Sequence, residues 1–152
     1  MVTKENVPRL YRIYINEMIS EQEIHNICEK YTITDYSINP DGSIDVDGNV
    51  KLTYEGLGRI PIKFNKVDGY FECSYNKLTS LENCPNEISG SVYLTGNNLK
   101  NLKGFGKVGG LIYLNGNPLE SFEGYNGDIN KVFCLNKKKL IRKTKLKILD
   151  TL

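Results

Sequence analysis

Apolar residues return along this chain at a regular interval of 20 or 21 residues. Five equivalent positions mark the interval, and four of them are glycine: Gly48, Gly69, Gly90, Gly110 and Lys131. An apolar side chain stands two residues before each position: Val46, Val67, Ile88, Val108 and Ile129. Others follow two and four residues after it: Val50, Phe71, Val92, Ile112 and Phe133, then Leu52, Cys73, Leu94, Leu114 and Leu135. This alternation predicts a short strand in each repeat with one face buried.

Each repeat also carries a leucine nine residues after the marking position: Leu57, Leu78, Leu99, Leu119 and Leu140. We expect these leucines to share one interior row, because each lies past a turn and points back towards the same core. The three central repeats have an asparagine in that turn: Asn76, Asn97 and Asn117. An amide side chain both donates and accepts hydrogen bonds, so a buried asparagine ladder that satisfies backbone groups of neighbouring coils is expected. Together these patterns predict a solenoid with one coil per repeat.

The residues before the first repeat predict a helical and hairpin cap over residues 1–45. Apolar residues at helical spacing over residues 7–18 indicate a first helix. Ser20 followed by Glu23 forms a capping box, which indicates that a second helix begins there. Residues 36–46 alternate around an Asn-Pro-Asp-Gly turn, as is typical of a β-hairpin. We expect these elements to close the first coil.

Two segments resemble the LxLxxNxL core of leucine-rich repeats: residues 92–99 (Val-Tyr-Leu-Thr-Gly-Asn-Asn-Leu) and residues 112–119 (Ile-Tyr-Leu-Asn-Gly-Asn-Pro-Leu). The resemblance covers residues 46–142, although the repeat is too short to hold a regular helix. The wording of residues 38–48 and 78–82 is similar to that of leucine-rich-repeat proteins carried by large tailed bacteriophages. This resemblance implies a partner-binding protein. A phage origin would imply that the partner is a host protein, with inhibition of a host defence or regulatory factor as the role.

The expected fold class is therefore α+β: a solenoid of about five coils, each of about 21 residues, whose strands form a parallel sheet. At 152 residues the chain has the size of one domain. We divide it into the cap of residues 1–45, the repeats of residues 46–142, and a basic cap of residues 143–152.

The outward side chains of the predicted strands form a continuous face, because equivalent positions stack at about 4.8 Å between neighbouring strands. Tyrosine is favoured at binding hot spots, since its ring covers a large area with few torsions. We therefore expect a protein partner to contact six residues on this face: Tyr70, Glu72, Tyr93, Leu111, Tyr113 and Cys134. The alternative is that Tyr93 and Tyr113 simply form a cross-strand pair.

Charge is distributed unevenly, although the formal net charge is only +2. Residues 1–130 hold 12 basic and 17 acidic side chains, whereas residues 131–152 hold 8 basic and 1 acidic. Two interpretations of the basic end stay open: an amphipathic cap on the last repeat, or a contact for nucleic acid or an acidic partner. The contact would involve five residues: Lys137, Lys138, Lys139, Arg142 and Lys143.

Catalytic function is not predicted, because no acid, base and nucleophile converge in the pattern. His25 is the only histidine, and the four cysteines lack the short spacing of a metal or redox motif. No apolar run reaches the roughly 18–20 residues of a membrane span, and no secretion signal is apparent. We therefore expect a cytoplasmic protein (in the host cytoplasm if phage-encoded) without cofactor, metal, membrane contact or small-molecule substrate. A nucleic-acid binder ranks second, and a structural or oligomerising component third.

Overall fold

In the computed structural model, which describes residues 19–152, the chain winds through about four turns of a β-solenoid. Each turn contributes one short strand to each of two sheets. The first sheet contains β1 (Tyr36–Ile38), β2 (Ile44–Val46), β4 (Phe64–Val67), β6 (Glu87–Ile88) and β8 (Lys107–Val108), in that order. The second contains β3 (Val50–Lys51), β5 (Phe71–Glu72), β7 (Val92–Tyr93), β9 (Ile112–Tyr113) and β10 (Val132–Phe133). All neighbours pair in parallel except β1 with β2, which are antiparallel.

The prediction of a parallel solenoid is confirmed, but the prediction of one sheet is incomplete. The apolar column two residues before each marking position supplies the strands of the first sheet, and the columns after it belong to the second. The glycines stand at the corner between the sheets. Because the chain turns there, the two strands of a coil face the core from different directions, and both show alternation.

The corner glycines are explained by close contact between coils. The Gly90 amide donates to the Gly69 carbonyl oxygen at 2.8 Å, and the Gly110 amide donates to the Gly90 oxygen at 2.9 Å. A Cβ atom built on Gly90 would lie 2.6 Å from the Gly69 oxygen. A side chain there would push neighbouring coils apart, so the position requires glycine.

The interior is a stack of apolar columns, and the expected leucine row is part of it. Leu78 and Leu99 are fully buried, and Leu57 and Leu119 pack against the same core as partly buried residues. Leu140 also reaches this core, although it comes from a helix. The strand positions above the row are fully buried in the first four coils: Val50, Phe71, Val92, Ile112; Leu52, Cys73, Leu94 and Leu114.

The predicted asparagine ladder is confirmed. The Asn97 side chain accepts a hydrogen bond from the Leu78 amide at 3.1 Å and donates to the carbonyl oxygens of Cys73 at 2.9 Å and Leu94 at 3.1 Å. Two of these bonds reach the preceding coil and one stays within its own. Asn117 repeats the arrangement one coil later, and Asn76 one coil earlier. The turns of successive coils are therefore tied together by buried amides.

The N-terminal end contains the predicted helix and hairpin. Helix α1 spans Glu21–Lys30, and its capping box between Ser20 and Glu23 is present in both directions. Ile24 and Cys28 of α1 are buried in the core. The hairpin strand β2 is also the first parallel strand of the first sheet, so β1 lies at that edge of the sheet. The helix predicted over residues 7–18 lies outside the described residues.

The fifth repeat is shifted by one residue from the predicted register. Val132 pairs with Ile112, and Phe133 pairs with Tyr113. Val132 is consequently buried, whereas Phe133 and Leu135, which were expected inside, are 44% and 74% exposed. The last step is therefore 20 residues, and the Lys131 alignment, which assumed 21, is wrong. A one-residue slip exchanges the two faces of a strand because its side chains alternate.

Helix α2 spans Lys137–Asp150 and follows β10 almost directly. The predicted boundary at residue 142 falls inside this helix, so the last coil ends earlier than expected. The Thr144 side chain accepts a hydrogen bond from the Phe122 amide at 3.1 Å, and Leu140 is buried. The first half of α2 is thus attached to the last coil, while Leu146, Ile148 and Leu149 are exposed.

The register of the fifth coil can be tested by thiol labelling. We expect a cysteine placed at position 133 by Phe133→Cys, in a Cys134→Ser background, to react at least about tenfold faster with iodoacetamide than the native Cys134. Position 133 is exposed, whereas Cys134 packs against the core and burial raises the pKa of its thiol. Equal rates for the two positions would contradict the observed register.

The asparagine ladder can be tested by chemical denaturation. We expect Asn97→Ala to lower the free energy of unfolding by about 1–3 kcal/mol, because it leaves buried backbone groups of two coils without a partner. The matched control is Asn98→Ala at the exposed neighbouring position, which should change stability by no more than about 0.5 kcal/mol. An unchanged midpoint for Asn97→Ala would show that the amide is not needed.

Candidate docking face

The outward side chains of the second sheet form columns along the solenoid. The register places Lys51, Glu72, Tyr93, Tyr113 and Phe133 next to one another in the middle column. The polar members stand at the N-terminal end, and the aromatic members follow. Tyr70 and Leu111 belong to the column on one side, each one residue ahead of its strand. The face therefore changes from charged to aromatic along the solenoid.

Four aromatic residues on this face form a continuous strip: Tyr70, Tyr93, Tyr113 and Phe133. The rings of Tyr93 and Tyr113 stack at a centroid distance of 4.9 Å with planes only 2° apart. Phe133 continues the stack beyond Tyr113 at 5.3 Å, and Tyr70 meets Tyr93 edge-on at 6.1 Å. The spacing follows from the separation of neighbouring strands. Because the rings of Tyr93 and Tyr113 cover each other, the strip presents mainly ring edges and hydroxyl groups outward.

The structure brings most of the predicted contact residues together. Tyr93, Tyr113 and Glu72 lie in one column, Tyr70 contacts the ring of Tyr93, and Leu111 is 39% exposed. The placement of Cys134 on this face is wrong. Its partly buried side chain packs against the core, and Phe133 takes its place because of the one-residue shift. The residues missed by the pattern are Phe133 and Leu135, which a 20-residue last step would have identified.

A second aromatic pair lies just beyond the strands of the first two coils. Tyr54 and Tyr75 stack at 4.7 Å with planes 4° apart, and they are 72% and 49% exposed. Their backbones are left-handed, with φ of 60° and 55°. The equivalent positions in the next coils are Gly96 and Gly116, with φ of 71° and 73°. A bulky residue in this conformation is strained by about 1–2 kcal/mol, so two exposed tyrosines here are not explained by stability.

The outward face of the first sheet has a different character. Its central column alternates in charge, because the register places Asp45, Lys66, Glu87 and Lys107 next to one another. Lys66 and Glu87 approach to 4.0 Å, and the Asp45 carboxylate accepts a hydrogen bond from the Asn65 side chain at 2.7 Å. Such a column is locally neutral and well solvated. The aromatic strip is therefore a property of the second sheet alone.

Helix α2 carries a concentration of positive charge without matching carboxylates. Its first turn is formed by three lysines, and Asn136 at the N-cap makes no side-chain capping bond. Cations there oppose the helix dipole, which favours negative charge at the N-terminus. The four ion pairs among residues 19–152 all join residues 20 to 22 positions apart, and none involves α2: Lys63–Asp41, Lys66–Glu87, Lys100–Glu120 and Lys103–Glu123.

The cysteines are placed as apolar residues. Cys28, Cys73 and Cys84 are buried, and burial raises the pKa of Cys73 to about 12. Burial likewise raises the pKa of Cys84. A thiol acts as a nucleophile or a metal ligand only as the thiolate, so these groups are held in the unreactive form. In the part of the chain from residue 19 onwards, no three His, Cys, Asp or Glu side chains are grouped to hold a metal ion. Neither α1 nor α2 is long and apolar enough to cross a membrane.

The strain at the exposed tyrosine pair gives a stability prediction. We expect Tyr54→Asn to leave the free energy of unfolding within about 0.5 kcal/mol of the wild type or to raise it, because asparagine tolerates the left-handed conformation. The opposite change in the same column, Gly96→Ala, should cost about 1 kcal/mol or more. It adds a Cβ atom 2.7 Å from the Tyr75 ring at a φ of +71°. Thermal or urea unfolding of both variants decides, and a large loss for Tyr54→Asn would assign the tyrosine a structural role.

The site offers ring edges, hydroxyl groups, exposed aliphatic side chains and unpaired cations, which is the chemistry of recognition rather than of bond making. Comparisons of the chain with protein-family models, curated proteins and solved structures gave no match.

Proposed function

We propose that this protein is a protein-binding module whose partner docks on the aromatic strip of the second sheet. The single observation that carries the proposal is the continuous contact of Tyr70, Tyr93, Tyr113 and Phe133 across four coils. Rings that support one another in this way are rigid, so little side-chain entropy is lost when a partner covers them. Aromatic anchors of this kind dominate the binding energy of many interfaces.

The flanking residues favour a protein as the partner. Leu111 and Leu135 are exposed beside the strip, and aliphatic side chains next to tyrosines are suited to cover apolar protein surface. Nucleic-acid binders that use aromatic residues stack bases on open ring faces. Here Tyr93 and Tyr113 occupy each other's faces, so bases cannot stack between them. A nucleic acid bound through the helix lysines is therefore the second candidate.

The cross-strand alternative does not compete with this proposal. Stacking of Tyr93 on Tyr113 contributes about 0.5–1.5 kcal/mol beyond area burial, and it also fixes both rings in a single arrangement. A preordered strip serves folding and docking together. The strained pair Tyr54 and Tyr75 extends the exposed aromatic surface at the first two coils. Residues kept at a cost in backbone strain are a frequent mark of functional surfaces.

The finer identity of the fold and its source enter as part of the proposal. The strand, asparagine and leucine positions support a leucine-rich-repeat-like solenoid, in which α1 with the hairpin closes one end and α2 the other. The wording of residues 38–48 and 78–82, similar to that of phage proteins, supports a phage origin. On that reading, the partner is a bacterial host protein in the cytoplasm, and the role is to inhibit a defence or regulatory factor.

The docking face can be tested by site-specific photo-crosslinking. A p-benzoylphenylalanine residue placed at position 113 or 93 should form a discrete crosslinked product with a protein in a bacterial lysate. The same residue placed at position 66 or 107, on the charged face of the first sheet, should not. Crosslinks of equal yield from both sheets, or from neither, would contradict the proposal.

The contribution of the rings can be measured on the same captured protein. We expect Tyr93→Ala and Tyr113→Ala together to weaken its binding by at least about tenfold, because the rings are the proposed anchors. Matched replacements at the charged face, Lys66→Ala and Lys107→Ala, should leave binding within about twofold. Circular dichroism of both double variants verifies that they fold. Retained binding by the folded tyrosine double variant would refute the proposed anchors.

A further inference from the structure

Exposed apolar residues are concentrated at the same end of the molecule as the excess positive charge. Nine large hydrophobic side chains are exposed among the described residues, and seven of them lie between positions 111 and 152: Leu111, Phe133, Leu135, Leu146, Ile148, Leu149 and Leu152. Residues 131–152 also hold 8 of the 20 basic residues and only 1 of the 18 acidic ones. The C-terminal segment, residues 131–152, therefore combines apolar surface with positive charge.

The positive charge of this segment is not neutralised within the described structure. Elsewhere on the solenoid, lysines such as Lys100 and Lys103 pair with the carboxylates of Glu120 and Glu123 one coil later. The basic side chains of α2 have no such partner among residues 19–152, although lysines form its first turn. An anionic partner would complete the same pattern of pairing from outside.

The arrangement along α2 distinguishes between kinds of anionic partner. Leu146 and Leu149 fall on the same side of the helix as Lys138 and Arg142, because these positions recur at helical spacing. A helix that lies in a membrane surface separates its apolar and basic residues onto opposite faces. A phosphate backbone would contact the cations but would leave the leucines exposed to water. A polypeptide that alternates acidic and apolar side chains matches both.

We infer that the partner presents an acidic polypeptide segment with apolar side chains to the C-terminal segment, continuous with the aromatic strip. This inference rests on the proposed function and names the chemistry of the partner. Register continuity supports it, because Phe133 closes the aromatic column and Lys131 lies beside Leu111 in the neighbouring one. Acidic residues of the partner pair with the lysines and Arg142, while its apolar side chains cover Leu135, Leu146 and Leu149.

The experiment selects binders from a display library of random peptides of about 16 residues with the full-length protein. We expect the selected pool to be enriched in Asp and Glu together with Leu, Phe or Ile. A charge variant, Lys138→Gln with Lys139→Gln and Arg142→Gln, should lose affinity for the selected clones by at least about tenfold. An apolar variant, Leu135→Ser with Leu146→Ser and Leu149→Ser, should lose a similar factor.

The matched control changes the net charge equally at exposed sites far along the chain, by Arg59→Gln, Lys77→Gln and Lys107→Gln. It should bind the selected clones within about twofold of the wild type, which separates a local contact from overall attraction. Two other probes are measured in parallel by fluorescence anisotropy and co-sedimentation: oligothymidine of about 20 nucleotides, and vesicles of phosphatidylcholine with phosphatidylglycerol. Neither should compete with the selected peptides for the wild-type protein.

Several outcomes overturn the inference. They are a neutral or basic pool, no enrichment, equal binding by the charge variant and the matched control, or displacement of the peptides by oligothymidine or by vesicles. If such a result accompanies a crosslink at position 113, the docking face stands and only the acidic character of the partner is rejected. If acidic clones are selected but positions 93 and 113 never crosslink, the C-terminal segment binds alone and the proposed function fails.

Discussion

The structure depends on the equal length of its coils, which is enforced by hydrogen bonds that run from each coil to the next. Amides of β3 donate to carbonyl oxygens of β5, those of β5 to β7, and the pattern continues through β9. The buried asparagines impose the same spacing on the turns, so the coil is held at two places rather than one. A coil with an additional residue would break one set of bonds or the other. Every column on the surface, including the aromatic strip, inherits its straightness from this constraint.

The repeating features were predictable from sequence because each is a local consequence of a repeated side chain. The asparagine ladder, the leucine row, the capping box at Ser20 and the hairpin all appear in the structure where the pattern placed them. The second sheet was not recognised, because strands of two to four residues give too little alternation to separate two neighbouring strands around a corner. The strained backbone at Tyr54 and Tyr75 was also missed, since tyrosine gives no sign of a left-handed conformation.

The last coil shows why a repeat is least predictable at its end. Alignment on Lys131 preserved an interval of 21 residues and placed Cys134 outward, whereas pairing of Val132 with Ile112 shortens the step to 20. Apolar residues occur at every position from 132 to 135, so periodicity alone cannot choose between the two registers. The choice is made by the hydrogen bonds to β9 and by the start of α2 at Lys137, which are tertiary effects. The error matters for the site because it decides whether a ring or a thiol closes the aromatic column.

The 3-10 helix at Ile129–Lys131 has a consequence for how the molecule ends. It stands where the next strand of the first sheet is due, so that sheet finishes at β8 while the second sheet continues to β10. A stack of identical coils is a template on which another chain could add indefinitely, as in fibrils. A stepped terminus does not offer that template, because an incoming coil would meet a ready strand on one side and a helical turn on the other. The solenoid thereby gains a defined length without needing a separate domain to stop its growth.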